Sequence, residues 1–310
     1  MDLQTALIGY INDGVLSGKT PETLRKTSYA LEYFFDYLTK EFRPLTLEEL
    51  SKENIEGFFI YGIQQKKWSR FTHITYYIKL HAFGNWLVRK KHIESNPMVD
   101  VPKPKQPPRF PKSMTELETI ELLQAVAKLP TSYGFTKTRN KAIIAALIFT
   151  GLRKSELLDL KVRDVDLVNN LIFVEMGKGQ KSREVPIETT ILKPILVEYM
   201  EYRERLGRAD NYFFNGQWAG VRVKNKMSYT VLDRLFRDLS KLLKKRVHAH
   251  KLRHTFATLV LDRTGDVYTL QQLMGHTNIA TTTIYLNSTR RKKVEAIGTL
   301  NLLKKTSEIS

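Results

Sequence analysis

No cysteine occurs anywhere in the 310 residues, and that absence removes disulfides, zinc–thiolate sites and thiol nucleophiles together. Any metal would have to be held by histidine and carboxylate groups. Long apolar runs are missing as well: no stretch approaches the ~18–20 apolar residues that a membrane-spanning helix needs. Met1 to Tyr10 lacks a basic segment followed by an apolar one, so no secretory leader is read there. Internal repeats and low-complexity tracts are also lacking. These absences lead to the expectation of a soluble, cytoplasmic protein with no membrane partner.

What is present is an ordinary globular composition, 42% hydrophobic and 26% charged, on a chain long enough for two domains with separate cores. Lys and Arg number 50 against 32 Asp and Glu, a formal net charge of +18. Such an excess favours a polyanionic partner, with nucleic acid as the leading class. Charge alone does not separate DNA from RNA or from an acidic membrane, so the motifs must decide.

Residues 101–112 read VPKPKQPPRFPK, with five of the eleven prolines and four basic residues and no helical or strand periodicity. Proline fixes φ and favours extended geometry, so the segment is predicted to be a semi-rigid linker. Its Lys103, Lys105 and Arg109 either lie along phosphates or are simply solvated. Before it, residues 1–100 are helical in periodicity throughout. Leu3, Leu7, Tyr10 and Ile11 share one face; Leu31, Phe34, Phe35 and Leu38 share another; Ile55, Phe58 and Phe59, then Ile74, Tyr77 and Ile78 running on to Trp86 and Leu87, complete a small bundle. Thr20 followed by Pro21 marks one helix start, and Thr46 with Glu49 has capping-box spacing. Residues 1–50 carry 5 basic and 8 acidic groups, whereas 51–100 carry 8 and 4. The second half is therefore the one expected to face a polyanion, and Lys66, Lys67 and Arg70, opening the last helix beside Trp68 and Ser69, are candidate phosphate contacts.

After the linker, a hydrophobic helix around Ile143 to Phe149 stops at Thr150-Gly151. Leu171 to Met176 and Ser182 to Ile187 read as strands flanking the basic turn Gly177-Lys178-Gly179-Gln180-Lys181. Four local patterns then hold the chemistry. In TGLRKSEL, Arg153 stands at a helix junction where Ser155 could cap the next helix. Lys178 stands at the strand turn. In HKLRHTFAT, the spacing of three puts His250 and Arg253 on one helix face, presented outward, while Leu252, Phe256 and Leu259 face a core. In LMGHTNIATTTIY, Gly275 ends a helix, His276 follows on a turn, and Tyr285 comes nine residues later. Singly, each has an ordinary explanation: an ion-paired arginine, a solvated lysine, a core helix.

As an ordered set, Arg153, Lys178, His250, Arg253, His276 and Tyr285 resemble the tyrosine recombinase family, the phage-type integrases that include the Xer recombinases. The likeness spans residues 113–290 and extends to the order of helical domain, Pro-rich linker and catalytic domain. One departure is His248-Ala249, where the family commonly has Ser-Pro or Thr-Pro; and Lys181 lies close enough to Lys178 to compete for its role. The resemblance implies a mainly α fold with a small antiparallel sheet. It also implies a core-binding, SAM-like bundle (1–100), the linker (101–112), a catalytic domain (113–290) and a C-terminal tail (291–310) that contacts a neighbouring protomer, arranged as a C-shaped clamp on DNA. Further, it implies a homo-tetramer on two copies of a specific duplex site, exchanging strands through a 3′-phosphotyrosine at Tyr285 and a Holliday junction, in dimer resolution or in integration and excision of a mobile element. No cofactor and no metal enter that chemistry. A catalytically silent DNA-binding regulator and a type IB topoisomerase-like enzyme are the competing readings.

Overall fold

The computed structural model describes residues 1–42, 46–105, 113–130, 134–175, 182–206, 211–218, 221–275 and Thr282, with the side chains of 217–218 and 221–225 outside that description. The chain divides into two compact units, Met1–Pro108 and Arg109–Ser310.

The first unit consists of α1 (Leu3–Leu16), α2 (Pro21–Glu41), α3 (Lys52–Gln64) and α4 (Arg70–Arg89). Its core is the set of apolar stripes expected from periodicity: Leu7, Leu31, Phe34, Leu38, Ile55, Phe58 and Leu87 are nearly inaccessible, and each large apolar group so buried contributes roughly 1.5–3 kcal/mol. Ile78 departs from its stripe and is exposed, because the buried face of α4 runs through Tyr77, Leu80 and Phe83 instead. Thr20 caps α2 with Pro21 in the first turn, as its sequence predicts. Thr46 does not start a helix. Its N–H donates to Glu49 at 2.9 Å within a turn, and α3 begins only at Lys52, capped by a reciprocal pair between Ser51 and Asn54.

The second unit is built around α6 (Gly134–Thr150), whose Ala142 to Ile148 are buried on every side. A helix apolar all round belongs in the middle of a domain, and α6 packs against α5 (Glu116–Lys128), α8 (Leu192–Arg205) and α10 (Ala249–Thr264). After α6 come α7 (Lys154–Asp159), a short 3-10 turn, and three antiparallel strands β1 (Val165–Asp166), β2 (Leu171–Val174) and β3 (Arg183–Pro186), in the order β1-β2-β3. Val174 pairs with Arg183 and Ile172 with Val185. Since successive strand side chains alternate faces, Arg183 shares the inward side with buried Val185 while Glu184 is exposed. A two-stranded ribbon, β4 (Asn215–Trp218) with β5 (Val221–Lys226), precedes α9 (Tyr229–Leu242), then α10 and α11 (Val267–Met274). The architecture is thus mainly α with small antiparallel sheets. No helix among the described residues is long and apolar enough to cross a membrane.

Candidate active site

Gly151 ends α6 with φ +62°, a backbone conformation costly for any residue with a Cβ. A Cβ there would lie 2.3 Å from the Phe256 ring, so the glycine lets the α6–α7 junction press against α10. Two residues on, Arg153 occupies the position preceding α7, and Ser155 falls inside the helix's first turn and makes no cap. The cap comes from Glu156, which accepts from the Arg153 N–H at 2.7 Å and from the Arg153 guanidinium at 2.5 Å.

Glu156 is the node of the site. Its side chain is only 7% exposed and also accepts two bonds from Arg183, at 3.1 and 2.8 Å, while the Arg253 guanidinium approaches to 3.8 Å. Burial pushes its carboxyl upward. The hydrogen bonds and charge of Arg183, followed by the bonds from Arg153, outweigh that and hold it at about 2. One carboxylate among three guanidiniums leaves the cluster positive.

Arg253 is not presented outward with His250, as helical spacing alone suggests. It is 3% exposed, and its guanidinium donates at 2.6 Å to the carbonyls of both Gly151 and Met274. The cause is local: Gly151 and Gly275 each terminate a helix in the left-handed region and leave carbonyls near the end of the helix directed at this guanidinium. Arg153 also reaches the Gly275 carbonyl, at 3.4 Å, and is about one-third exposed. The loop after α6, the second turn of α10 and the end of α11 are thereby tied together by arginine.

His250 is exposed on the first turn of α10, with its ring centroid 4.3 Å from that of His254. Desolvation by its neighbours, then the charges of Arg253 and Arg153, lower its pKa below the usual histidine value. His254, more enclosed, is pushed down to about 4 by burial and then by His250. The imidazole beside the arginines is accordingly held neutral near pH 7. His248, read only as a departure from the family pattern, caps α10 by accepting from the Lys251 N–H at 3.1 Å.

Of the six sequence-predicted catalytic residues, Arg153, His250 and Arg253 lie together. Lys178, His276 and Tyr285 fall outside the described residues, as does Lys181. Glu156 and Arg183 escaped the sequence reading. The available signals were an acidic residue three positions after Arg153 on the same short helix, and a charged residue on the inward parity of an otherwise apolar strand.

In the first unit, Lys66, Lys67 and Arg70 are all exposed. They flank a rigid turn: Lys67 has φ +52°, the Trp68 N–H donates to the Gly62 carbonyl at 3.0 Å, and the Trp68 ring stacks on Tyr76 at 4.3 Å and meets Phe58 edge-on. Ser69 caps α4 by accepting from Thr72 N–H. Lys103 and Lys105 are exposed; Arg109 lies outside the described residues.

Comparison with known proteins shows the family. Residues 112–292 match the phage integrase family and residues 6–103 match the phage integrase SAM-like domain. Tyrosine recombinase XerA of Pyrococcus furiosus is 30% identical over 288 residues, covering 93% of this chain and 91% of that protein. Tyrosine recombinase XerD of Listeria monocytogenes is 31% identical, over 88% of this chain and 90% of the relative. Among solved structures, the XerH site-specific recombinase bound to palindromic difH substrate in a post-cleavage complex superposes with a TM-score of 0.74 at 23% identity, over 89% of this chain and 79% of that one. A lambda integrase dimer bound to a COC′ core site gives 0.72 at 16% identity, over 94% and 79%. The chain belongs to the phage integrase family, the tyrosine recombinases. Its activity is that of a tyrosine-type site-specific recombinase.

Proposed function

We propose that the chain cuts and rejoins duplex DNA at a specific site with Tyr285 as nucleophile, and that the arginine cluster around Glu156 is where the scissile phosphate is held. The observation that carries this reading is the convergence of Arg153 and Arg253 on one buried carboxylate, with His250 on the same helix as Arg253. A phosphodiester passing through a pentacoordinate transition state gathers negative charge on its non-bridging oxygens, and preorganised cationic donors stabilise that charge more than the ground state. Arg153, partly exposed, is the guanidinium open to such a phosphate. His276 adds a further hydrogen bond.

Attack forms a bond between the Tyr285 oxygen and phosphorus as the bond from phosphorus to the 5′-oxygen breaks. The phenolic proton passes to His250, whose depressed pKa leaves its ring free to accept it. The 5′-oxygen takes a proton from the Lys178 ammonium. The 3′-phosphotyrosine conserves the phosphodiester, so a second 5′-hydroxyl can displace the tyrosine without an added energy source. Lys66, Lys67, Arg70, Lys103, Lys105 and Arg109 contact the backbone of the same duplex, and four protomers on two sites exchange strands through a Holliday junction. The DNA complexes of XerH and lambda integrase support the duplex partner.

Tyr285→Phe tests the assignment, because only a hydroxyl is removed. The variant is expected to bind its site and yield no covalent adduct on a denaturing gel. An adduct that persists would place the nucleophile elsewhere, with exposed Tyr268 on α11 the first to examine. Lys178→Ala is expected to cleave normal DNA slowly but DNA with sulfur at the 5′-bridging position nearly as fast as the parent, since a thiolate departs without a proton. Rescue of Lys181→Ala instead would move the acid three residues along the turn.

A further inference from the structure

Among the described residues, the enclosed guanidinium of Arg183 has no role in the mechanism. Arg183, the first residue of β3, has a side chain only 7% exposed, directed inward by strand parity on the same side as Val185. Its guanidinium is bound on three sides. Nε donates to the Leu273 carbonyl of α11 at 2.8 Å, and the two terminal amines donate to the two oxygens of Glu156 on α7. β3 itself packs against α11. In sequence, Arg183 stands five residues after Lys178 and two after Lys181.

We propose that Arg183 is a positioning residue for leaving-group protonation: its fork fastens the strand end that follows Lys178 and Lys181 in sequence to the carboxylate that organises the arginine pair. The inference rests on the lysine-acid reading given above. Its physical content lies in which groups keep their anchors when Arg183 is removed. Glu156 retains the backbone and side-chain bonds from Arg153, and Arg253 retains the carbonyls of Gly151 and Met274. The phosphate-holding arginines therefore stay tethered. The start of β3 loses these side-chain bonds to α7 and α11 and keeps its strand pairing to Val174. Displacing a reacting group by about 1 Å costs on the order of 10²-fold in rate. Lysine at 183 would keep the charge facing Glu156 but cannot reproduce three donors in a planar fork.

The experiment measures single-turnover cleavage by the intact chain on matched DNAs with oxygen or sulfur at the 5′-bridging position, for Arg183→Gln, Arg183→Lys, Lys178→Ala, Lys181→Ala and Arg153→Ala. Arg183→Gln is expected to be about 10²-fold slower on oxygen and within a few-fold of the parent on sulfur. Arg183→Lys, which leaves the Glu156 charge matched and so protects folding, should show the same pattern in weaker form. Arg153→Ala should be slow on both substrates. If Lys178→Ala or Lys181→Ala is rescued by sulfur while both Arg183 variants stay equally slow on the two substrates, or cleave oxygen DNA normally, the positioning role is wrong. If neither lysine variant is rescued, the lysine-acid reading fails and takes this inference with it. A purely structural role for Arg183 would lower folded protein and binding without favouring sulfur over oxygen.

Discussion

Replacing Glu156 by glutamine keeps the shape of the side chain and removes its charge from among three arginines. The carboxyl is held at about 2 against an ordinary 4.5. At 1.36 kcal/mol per unit, that difference corresponds to about 3 kcal/mol of stabilisation, in line with the ~3–5 kcal/mol typical of breaking a buried ion pair by deleting one partner. The sign follows from the depression. The contribution is complete well above pH 4.5 and is lost as pH falls toward 2, because the unfolded chain takes up the proton first. At pH 7 the intact Glu156→Gln chain should be about 3 kcal/mol less stable than the parent in urea titrations, with the slope m unchanged. At pH 3.5 the gap should shrink to about 2 kcal/mol. A loss below about 1 kcal/mol at pH 7, or a gap that does not narrow on acidification, would refute Glu156 as the charged node of the site.

Gly151→Ala should destabilise the second unit by about 2–5 kcal/mol, adding a left-handed alanine to a clash with Phe256, and denaturation of the intact chain measures it. Replacing Lys66, Lys67 and Arg70 together by alanine should flatten the plot of log affinity against log salt by up to about 3, at roughly 0.9 per phosphate contact; an unchanged slope would remove that turn from the DNA interface. The acid limb of the cleavage rate should fall below pH 6.5, because His250 is depressed by desolvation and by Arg253 and Arg153. A limb above 6.5 would argue against His250 as the base. Deleting residues from Arg290 onward should impair cleavage while leaving single-site binding nearly intact, and mixing with a full-length Tyr285→Phe chain should restore activity if the tail acts on a neighbour.

Much of the fold is written in local pattern. The stripes of α2 and α3, the Thr20-Pro21 start, the Gly151 and Gly275 stops and the strands on either side of Lys178 could all be read from periodicity and turn chemistry. The reason is that such features depend on residues within one or two turns of one another. Errors arose where a distant partner decided the outcome. The Thr46–Glu49 pair has the right spacing for a helix start but closes a turn, and Ile78 lies beside Tyr77 in sequence but off the face that the bundle buries. Ser155 is an able cap, yet Glu156 performs that task because its carboxylate is already fixed by arginines from elsewhere.

The candidate site divides along the same line. Sequence by itself determined the identity and order of the polar residues, and through them the family, because the chemistry of phosphoryl transfer demands those side-chain types whatever surrounds them. Only the tertiary structure decided that Arg253 is buried, that Glu156 is the shared partner of Arg153 and Arg183, and that the ends of α6 and α11 present carbonyls to the same guanidinium. Arg153 and Gly275 are separated by 122 residues, and Glu156 and Arg183 by 27. No helical or strand periodicity reaches across such spans; what joins them is the cost of burying a charge, which each of these groups offsets only by finding the others.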